Sequence, residues 1–219
     1  MNSKRRHNLN SNIESKKLLI EKQIKESPNI IASYSYQIRN SNGELMKDSG
    51  ERQCHSFVAN FARLLYNCAF FLGLGSPVAI TDTGGTSQTA YSNMHRGLRT
   101  DASTGTSTYG LQVGTGTGAE SINNTSLGTQ IAHGSGSGQL QYGAMSYGAP
   151  STTGTTTTFR FTRVFTNASG GSIGVEEIGL VSNSGDFSKR YLWLRDLTGT
   201  ITVNNGQSLT LNVDFTTTI

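Results

Sequence analysis

The C-terminal stretch SLTLNVDFTT (residues 208–217) gives the clearest indication of the fold class. Its apolar residues recur at every second position and are Leu209, Leu211, Val213 and Phe215. Successive side chains of a β-strand point to opposite faces of the sheet. The alternation therefore predicts a strand with one buried face and one solvated face.

From residue 75 to this stretch, the chain consists of short apolar runs separated by Gly, Ser and Thr. Thr suits a pleated, half-buried surface, and Gly and Ser favour turns. We predict strands at residues 30–38, 44–47, 78–81, 86–91, 109–113, 139–144, 159–166, 173–181, 191–197, 201–203 and 208–217. So many short strands indicate a mainly β protein, an antiparallel β-sandwich of jelly-roll-like architecture.

Three of these strands have sequence features that predict details of their local structure. Phe159, Phe161 and Phe165 share one face, with Arg163 as the one polar residue among them. The apolar phase changes at Glu176–Glu177, which predicts a β-bulge that turns one glutamate towards backbone amides. The stretch YLWLRD (191–196) is apolar on both faces and predicts a central strand covered from both sides.

Residues 56–73 predict the one helix of the body, with Ser56 as its cap and Gly73 at its end. The residues at helical spacing are Phe57, Phe61, Leu64, Leu65, Cys68, Phe71 and Leu72. An apolar stripe of this kind has to be covered, so we expect the helix to pack across a sheet or against another subunit.

Residues 1–27 differ from the rest and are predicted to form a basic arm, which leaves residues 28–219 as the sandwich domain. The basic residues of the arm are Lys4, Arg5, Arg6, Lys16, Lys17, Lys22 and Lys25. They give residues 1–25 a net charge of +5, whereas the remainder is close to neutral. Residues 13–26 have the pattern of a short amphipathic helix, which lies either on its own domain or on a neighbouring subunit.

The composition excludes several classes of protein. Cys54 and Cys68 lie far apart and outside any CxxC pattern, which argues against a disulfide scaffold and a zinc knuckle. The basic start leads into a charged segment rather than an apolar one, so we expect no signal peptide and synthesis in the cytoplasm. The longest apolar stretch, residues 57–74, is interrupted by polar residues and is a poor membrane span.

No motif in the sequence predicts catalysis, a cofactor, a metal or a small-molecule ligand. The run GTGTG (114–118) has neither the spacing nor the lysine of a phosphate-binding loop, and a plain flexible loop is the favoured interpretation. His7, His55, His95 and His133 are scattered, so a metal site would require convergence in space. The sequence singles out no base beside any serine, and the eight acidic residues after residue 75 are dispersed.

Three motifs in the last third occur in a specific order. They are FRFTRVFTNASGGSIGVEEIGL (159–180), YLWLRD (191–196) and ITVNNGQSLTL (201–211). The series resembles the C-terminal β-domain of many tailed-bacteriophage virion proteins. Upstream, SFVANF (56–61), TDTGGT (81–86), VGTGT (113–117) and IAHG (131–134) are similar to members of the same group, so the resemblance covers residues 30–219.

The resemblance implies a structural component of the virion, made in the bacterial cytoplasm, which assembles as a symmetric oligomer with other virion proteins. It implies a place in the tail, in the neck or on the head surface. We expect the tail or the portal-proximal neck; alternatives are head-surface decoration, a head fibre or a receptor-binding fibre module. It carries no catalytic residues. The basic arm would then dock on an acidic neighbouring protein, with a weak contact to packaged DNA as its second use.

Overall fold

The computed structural model describes residues 29–55, 57–69, 78–88, 98–184 and 188–218. Within them the chain is mainly β, with antiparallel sheets packed together and one short helix, which confirms the predicted sandwich. The strands are β1 (Asn29–Arg39), β2 (Leu45–Asp48), β3 (Arg52–Gln53), β4 (Ile80–Thr81), β5 (Ser87–Gln88), β6 (Gly110–Gly114), β7 (Gln141–Thr153), β8 (Thr156–Thr166), β9 (Ile173–Asn183), β10 (Arg190–Val203) and β11 (Ser208–Thr218); the helix is α1 (Ala59–Ala69).

The strands form two main sheets. The first has the order β2-β1-β11-β8-β7, with β3 also paired to β1, and the second has the order β10-β9-β6. A separate pair joins β4 to β5. Strand β11 lies between β1 and β8 and pairs with both over its whole length, so the C-terminal stretch occupies the middle of the larger sheet.

The core lies between the two sheets. In β11 the predicted face is buried: Leu209, Leu211 and Val213 are fully covered and Phe215 is 3% exposed. Strands β6, β9 and β10 contribute the opposite wall of the same cluster. The alternation in the sequence therefore predicted the correct face.

Arg163 lies on the phenylalanine face of β8, as predicted, and its side chain is completely buried. Its guanidinium donates to backbone carbonyl oxygens of Ser103, Thr106, Tyr109, Leu111 and Gly143. It also lies over the Tyr142 ring, 4.8 Å from the ring centroid. Burial lowers the pKa of Arg163 to about 10, yet the group stays charged at neutral pH. Arg163 thus joins the loop before β6 to the larger sheet.

The helix differs from its prediction at the start and on its buried side. It begins at Ala59, because Phe57 instead forms a bridge with Leu194 on the edge of β10. Leu65, expected on the packed stripe, is 40% exposed, whereas Asn60 and Asn67 are buried. Polar side chains can occupy the buried side because both asparagines hydrogen-bond to backbone.

The two asparagines attach α1 to the chain that follows it. Asn60 Nδ2 donates to the carbonyl of Thr81, and Asn67 exchanges hydrogen bonds with both backbone groups of Val78. Ser56 and residues 70–73, which include the predicted cap and end, lie outside the described residues. No helix within the described part of the chain is long and apolar enough to span a membrane.

The predicted bulge near Glu176 is an irregularity in which the two extra residues lie on the partner strand, β10. The pairing steps from Glu177 with Leu197 to Val175 with Ile201. Residues 198–200 of β10 therefore lie opposite Glu176 alone. A second shift, at Trp193, also lies on β10. The change in the apolar alternation of β9 indicated an irregular pairing at this point. It could not show that the extra residues belong to β10.

The prediction of a central strand at residues 191–196 is wrong in one respect. These residues are buried on both faces, as expected, but β10 is an edge strand of its sheet. Its outer edge is partly covered by the segment before α1, since the Val58 amide donates to the Trp193 carbonyl at 2.9 Å. Predicted strands 191–197 and 201–203 are also one continuous strand, and β7 extends further than predicted.

Replacing Leu211 by alanine tests the buried face of β11. We expect Leu211→Ala to lower the free energy of unfolding by about 2–5 kcal/mol, because it opens a cavity in the core. Thr210→Ala, on the other face of the same strand, should change it by roughly 0.5 kcal/mol or less. Urea unfolding of both variants checks this, and equal losses would contradict the assigned face.

Candidate functional site

The arm residues predicted to dock on a partner lie outside the described residues. These are Lys4, Arg5, Arg6, Lys16, Lys17, Lys22 and Lys25. Their role stays a prediction. The structure instead draws attention to charged side chains gathered around β10, which the sequence places far apart.

The centre of this region is the buried carboxylate of Glu177 on β9. Its Oε1 accepts hydrogen bonds from the amides of Gly116 at 3.0 Å and Thr129 at 2.8 Å. Its Oε2 accepts from the Gly128 amide at 3.0 Å and from Arg195 Nε at 2.6 Å. Successive backbone amides form an anion-binding concavity, and here the anion belongs to the protein itself. The predicted turn of a glutamate towards backbone amides is confirmed.

The glycine-rich run 114–118 is therefore held by fixed contacts, and its interpretation as a plain flexible loop is wrong. A Cβ atom on Gly116 would clash with Glu177 Oε1, and one on Gly114 would lie 2.5 Å from the same oxygen. Glycine is required at both positions because the carboxylate approaches the backbone so closely. Within the run, the Gly116 amide donates to Glu177 and the Thr115 amide donates to the Thr129 carbonyl, so neither is available to a phosphate.

Arg195 extends this anchor to the next part of the loop. Its guanidinium donates to the carbonyls of Gly118 at 2.9 Å and Ala119 at 3.2 Å. The side chains of Arg195 and Glu177 are 2% and 0% exposed, so the ion pair is buried. A buried pair of this kind is tolerated because the remaining donors and acceptors are also hydrogen-bonded. The next residue in the loop, Glu120, is thereby placed against β10.

His55, Glu120 and Asp196, which we call the Asp196 cluster, meet at this point. Their potential ligand atoms all lie within 4.8 Å of one another. His55 Nδ1 lies 3.0 Å from Asp196 Oδ1, and the His55 amide donates to the same oxygen at 3.3 Å. Glu120 Oε1 accepts from the Leu197 amide at 2.7 Å. The cluster thus joins the segment before α1, the loop after β6 and strand β10.

Asp196 is the buried member of the cluster. Its side chain is 0% exposed, whereas that of His55 is 71% exposed. Asp196 Oδ2 is buried and receives no hydrogen bond from the residues that the structure describes. The neighbouring Glu120 carboxyl can bond to it only when one of the two groups carries a proton, because two carboxylates are both acceptors.

Burial and the neighbouring Glu120 raise the pKa of Asp196 to about 6, against the opposing effect of the hydrogen bonds from His55. The hydrogen bond to Asp196 raises the pKa of His55 in turn. Burial, followed by the charges of Asp196 and Glu120, raises the pKa of the adjacent Cys54 thiol, which therefore stays protonated. The cluster consequently changes its proton content in the range where histidine titrates.

The structure corrects the expectation that the acidic residues of the body are dispersed. His55 and Asp196 are 141 positions apart in the sequence, so no local spacing could indicate their contact. His133 lies elsewhere, where its Nδ1 accepts from the Tyr142 amide. His7 and His95 lie outside the described residues.

A small pocket includes residues of β6 and β10 in its lining. Its volume is about 200 Å³. Its lining residues are Thr83, Thr108, Gln112, Ser126, Leu127, Gln130 and Arg190. This lining contains a single charged side chain and no carboxylate, histidine or cysteine, so it offers hydrogen-bonding groups rather than a catalytic constellation.

Gly116→Ala tests the contact between the glycine-rich loop and Glu177. We expect it to lower the free energy of unfolding by about 1–3 kcal/mol, because the added methyl group displaces the carboxylate from its amides. Gly118→Ala is the matched control, since a Cβ there meets nothing within 4 Å. Urea unfolding that showed equal effects in both variants would contradict the anchoring role of Glu177.

The Asp196 cluster also predicts a pH dependence of stability in metal-free buffer. A carboxyl whose pKa is higher in the folded state stabilises the fold below its unfolded pKa of about 3.9, and this contribution is lost as the pH rises through about 6. Glu120→Gln removes the neighbouring charge and can donate to Asp196. We therefore expect this variant to gain stability relative to the wild type, on the order of 1 kcal/mol, between about pH 4.5 and pH 7.

Denaturant unfolding across this pH range measures the difference. Glu44→Gln, which changes an exposed glutamate in the β1–β2 turn, is the control and should follow the wild type. A constant difference between Glu120→Gln and the wild type at every pH would contradict the coupling between Glu120 and Asp196.

Comparisons with protein-family models, curated proteins and solved structures find no match to this chain.

Proposed function

We propose that this chain is a structural component of a tailed-phage virion, which assembles as a symmetric oligomer in the tail or neck of the particle. The observation that carries the proposal is the ordered motif series in residues 159–211, in which Arg163, Asn167, Glu177 and Arg195 make their hydrogen bonds within the chain. Side chains that hold backbone together support an architectural role, whereas a catalytic role requires groups left available to a substrate.

Two of the motifs form neighbouring turns at one end of the sandwich. Asn167, in the motif FTNASGG, is fully buried, and its Nδ2 donates to the carbonyls of Gly171 at 2.8 Å and Val203 at 2.7 Å. The amide of Gly170 donates to Asn205 Oδ1, and Ser172 Oγ donates to Asn204 Oδ1. The β8–β9 and β10–β11 turns are therefore connected through the motif residues themselves.

The remaining motif, YLWLRD, supplies Arg195 and Asp196. Arg195 pairs with Glu177 from the first motif, so this contact also lies between motif residues. The three motifs therefore contact one another in the folded chain. Their contacts join the β8–β9 turn to the β10–β11 turn and join β9 to β10. These contacts give the motif residues an architectural role, which supports the proposal of a structural virion protein.

The edges of the larger sheet support assembly with further copies. Strand β2 is a short edge that carries Lys47 and Asp48, and such edges resist pairing with another chain. Strand β7 is an edge of 13 residues without a charged side chain, and its residues 146–153 are all exposed. Pro150 and two register shifts interrupt backbone pairing along this edge, so a neighbouring subunit would dock mainly on its exposed uncharged side chains.

A receptor-binding fibre module is the alternative with the least support. Carbohydrate-binding surfaces use exposed aromatic rings for stacking. The chain has one tryptophan, Trp193, and it is 6% exposed and packs near Phe61 and Phe215. The basic arm fits better with docking on an acidic virion protein, because a charge of +5 gives only a modest affinity for DNA.

Cross-linking mass spectrometry of purified phage particles tests the proposal. We expect the chain at a fixed copy number, with links from Lys16, Lys17 and Lys22 to another virion protein or to a second copy. Particles grown from a mixture of ¹⁴N- and ¹⁵N-labelled chain distinguish links between copies from links within one copy. Lys47, on the short β2 edge, serves as the comparison lysine.

Two results would overturn parts of this proposal separately. Absence of the chain from purified particles would reject the virion role. Links from the arm lysines only to their own subunit would reject docking by the arm. The virion role would then still be tested by the copy number of the chain in the particles.

A further inference from the structure

We propose that the Asp196 cluster binds one divalent cation of the Zn²⁺ class, with His55, Glu120 and Asp196 as its protein ligands. The inference starts from Asp196, whose side chain is 0% exposed and whose Oδ2 receives no hydrogen bond from the described residues. A buried carboxylate oxygen without a donor is costly. A cation shared with the Glu120 carboxylate removes that cost.

The positions of the ligand atoms are compatible with a single ion. Two ligands on a tetrahedral Zn²⁺ with bonds of about 2.0–2.1 Å lie roughly 3.3 Å apart. His55 Nδ1 and Asp196 Oδ1 lie 3.0 Å apart, and the ligand atoms of all three residues fall within 4.8 Å. Small rotations of the exposed His55 side chain would complete the approach, and water would fill the fourth position.

The chemistry of the ligands selects the class of ion. Ca²⁺ requires six to eight oxygen ligands, and Mg²⁺ keeps most of its water and prefers phosphates and carboxylates. One imidazole nitrogen with two carboxylates suits Zn²⁺ and similar transition metals instead. Two carboxylates and a neutral imidazole also balance the charge of a divalent ion.

The surrounding structure would hold two of the ligands in place without the ion. Glu120 follows the loop residues whose carbonyls bind Arg195, and its own Oε1 accepts from the Leu197 amide. Asp196 lies on β10, where it is fixed by pairing with Ile178 of β9. The His55 side chain is 71% exposed and can adjust its position, so the ion would connect the segment before α1 to the three-stranded sheet.

Titration of the full chain without a polyhistidine tag tests this proposal. After EDTA treatment and dialysis, the protein is titrated with ZnCl₂ by isothermal calorimetry, and its thermal unfolding is followed with Zn²⁺, Mg²⁺ or Ca²⁺. We expect one Zn²⁺ per chain and a Tm that rises with the Zn²⁺ concentration, because an ion that binds only the folded chain stabilises it. Mg²⁺ and Ca²⁺ should give no comparable rise.

Two variants separate metal binding from a purely structural role. Glu120→Gln can donate to Asp196 Oδ2, so it should raise the Tm of the metal-free protein yet weaken Zn²⁺ binding. His55→Gln keeps a side-chain donor near Asp196 and should weaken binding as well. We expect losses of at least about tenfold in affinity, since even the loss of an outer-sphere partner of a metal ligand costs that much. Asp101→Asn and His7→Gln change the same residue types elsewhere and should bind as the wild type.

The proposal fails if the wild-type chain binds less than about 0.1 equivalent of Zn²⁺ by calorimetry and elemental analysis. It also fails if Glu120→Gln and His55→Gln bind Zn²⁺ as tightly as the wild type. These outcomes do not depend on whether the chain is found in virions, so this proposal and the proposed function can fail independently.

Discussion

The structure depends on the buried carboxylate of Glu177. Its two oxygens accept three backbone amides and the guanidinium of Arg195, and this fixes the loop that follows β6 against the smaller sheet. A carboxylate that lost these partners in the interior would be strongly destabilising. The glycines at 114 and 116 follow from the same constraint, because only a residue without a side chain allows the backbone to approach the oxygens so closely.

The position of Glu120 follows from that anchor. Arg195 holds the carbonyls of Gly118 and Ala119, and the next residue in each segment, Glu120 in the loop and Asp196 in β10, belongs to the Asp196 cluster. One dipeptide of the motif YLWLRD therefore serves two purposes. Arg195 holds the loop through its backbone carbonyls, and Asp196 lies beside Glu120, the next residue of that loop. The cluster is a consequence of the anchor rather than an independent feature.

The sequence predicted those parts of the fold that depend on local period. Alternation identified the buried face of β11, and it placed Arg163 on the phenylalanine face of β8, where the structure shows it completely buried. It could not identify the edge position of β10, because burial on both faces looks the same in a central strand and in an edge strand covered by another segment. It also could not find the Asp196 cluster, whose members come from three distant segments and follow no shared spacing. The start of α1 was misplaced because the pairing of Phe57 with β10 outweighs helix propensity there.

Among the described residues, the charged side chains with at most 2% exposure form three sites, which differ in how the charge is compensated. Arg163 has backbone carbonyls, which supply partial negative charge without a carboxylate. Glu177 and Arg195 neutralise each other and use backbone groups for their remaining bonds. Asp196 has donors for one oxygen only and faces a second carboxyl from Glu120. The first two sites are complete within the chain, whereas the third requires a proton or a cation from solution. The Asp196 cluster is therefore the place where the stability of this sandwich responds to its surroundings, through the segment that leads into α1.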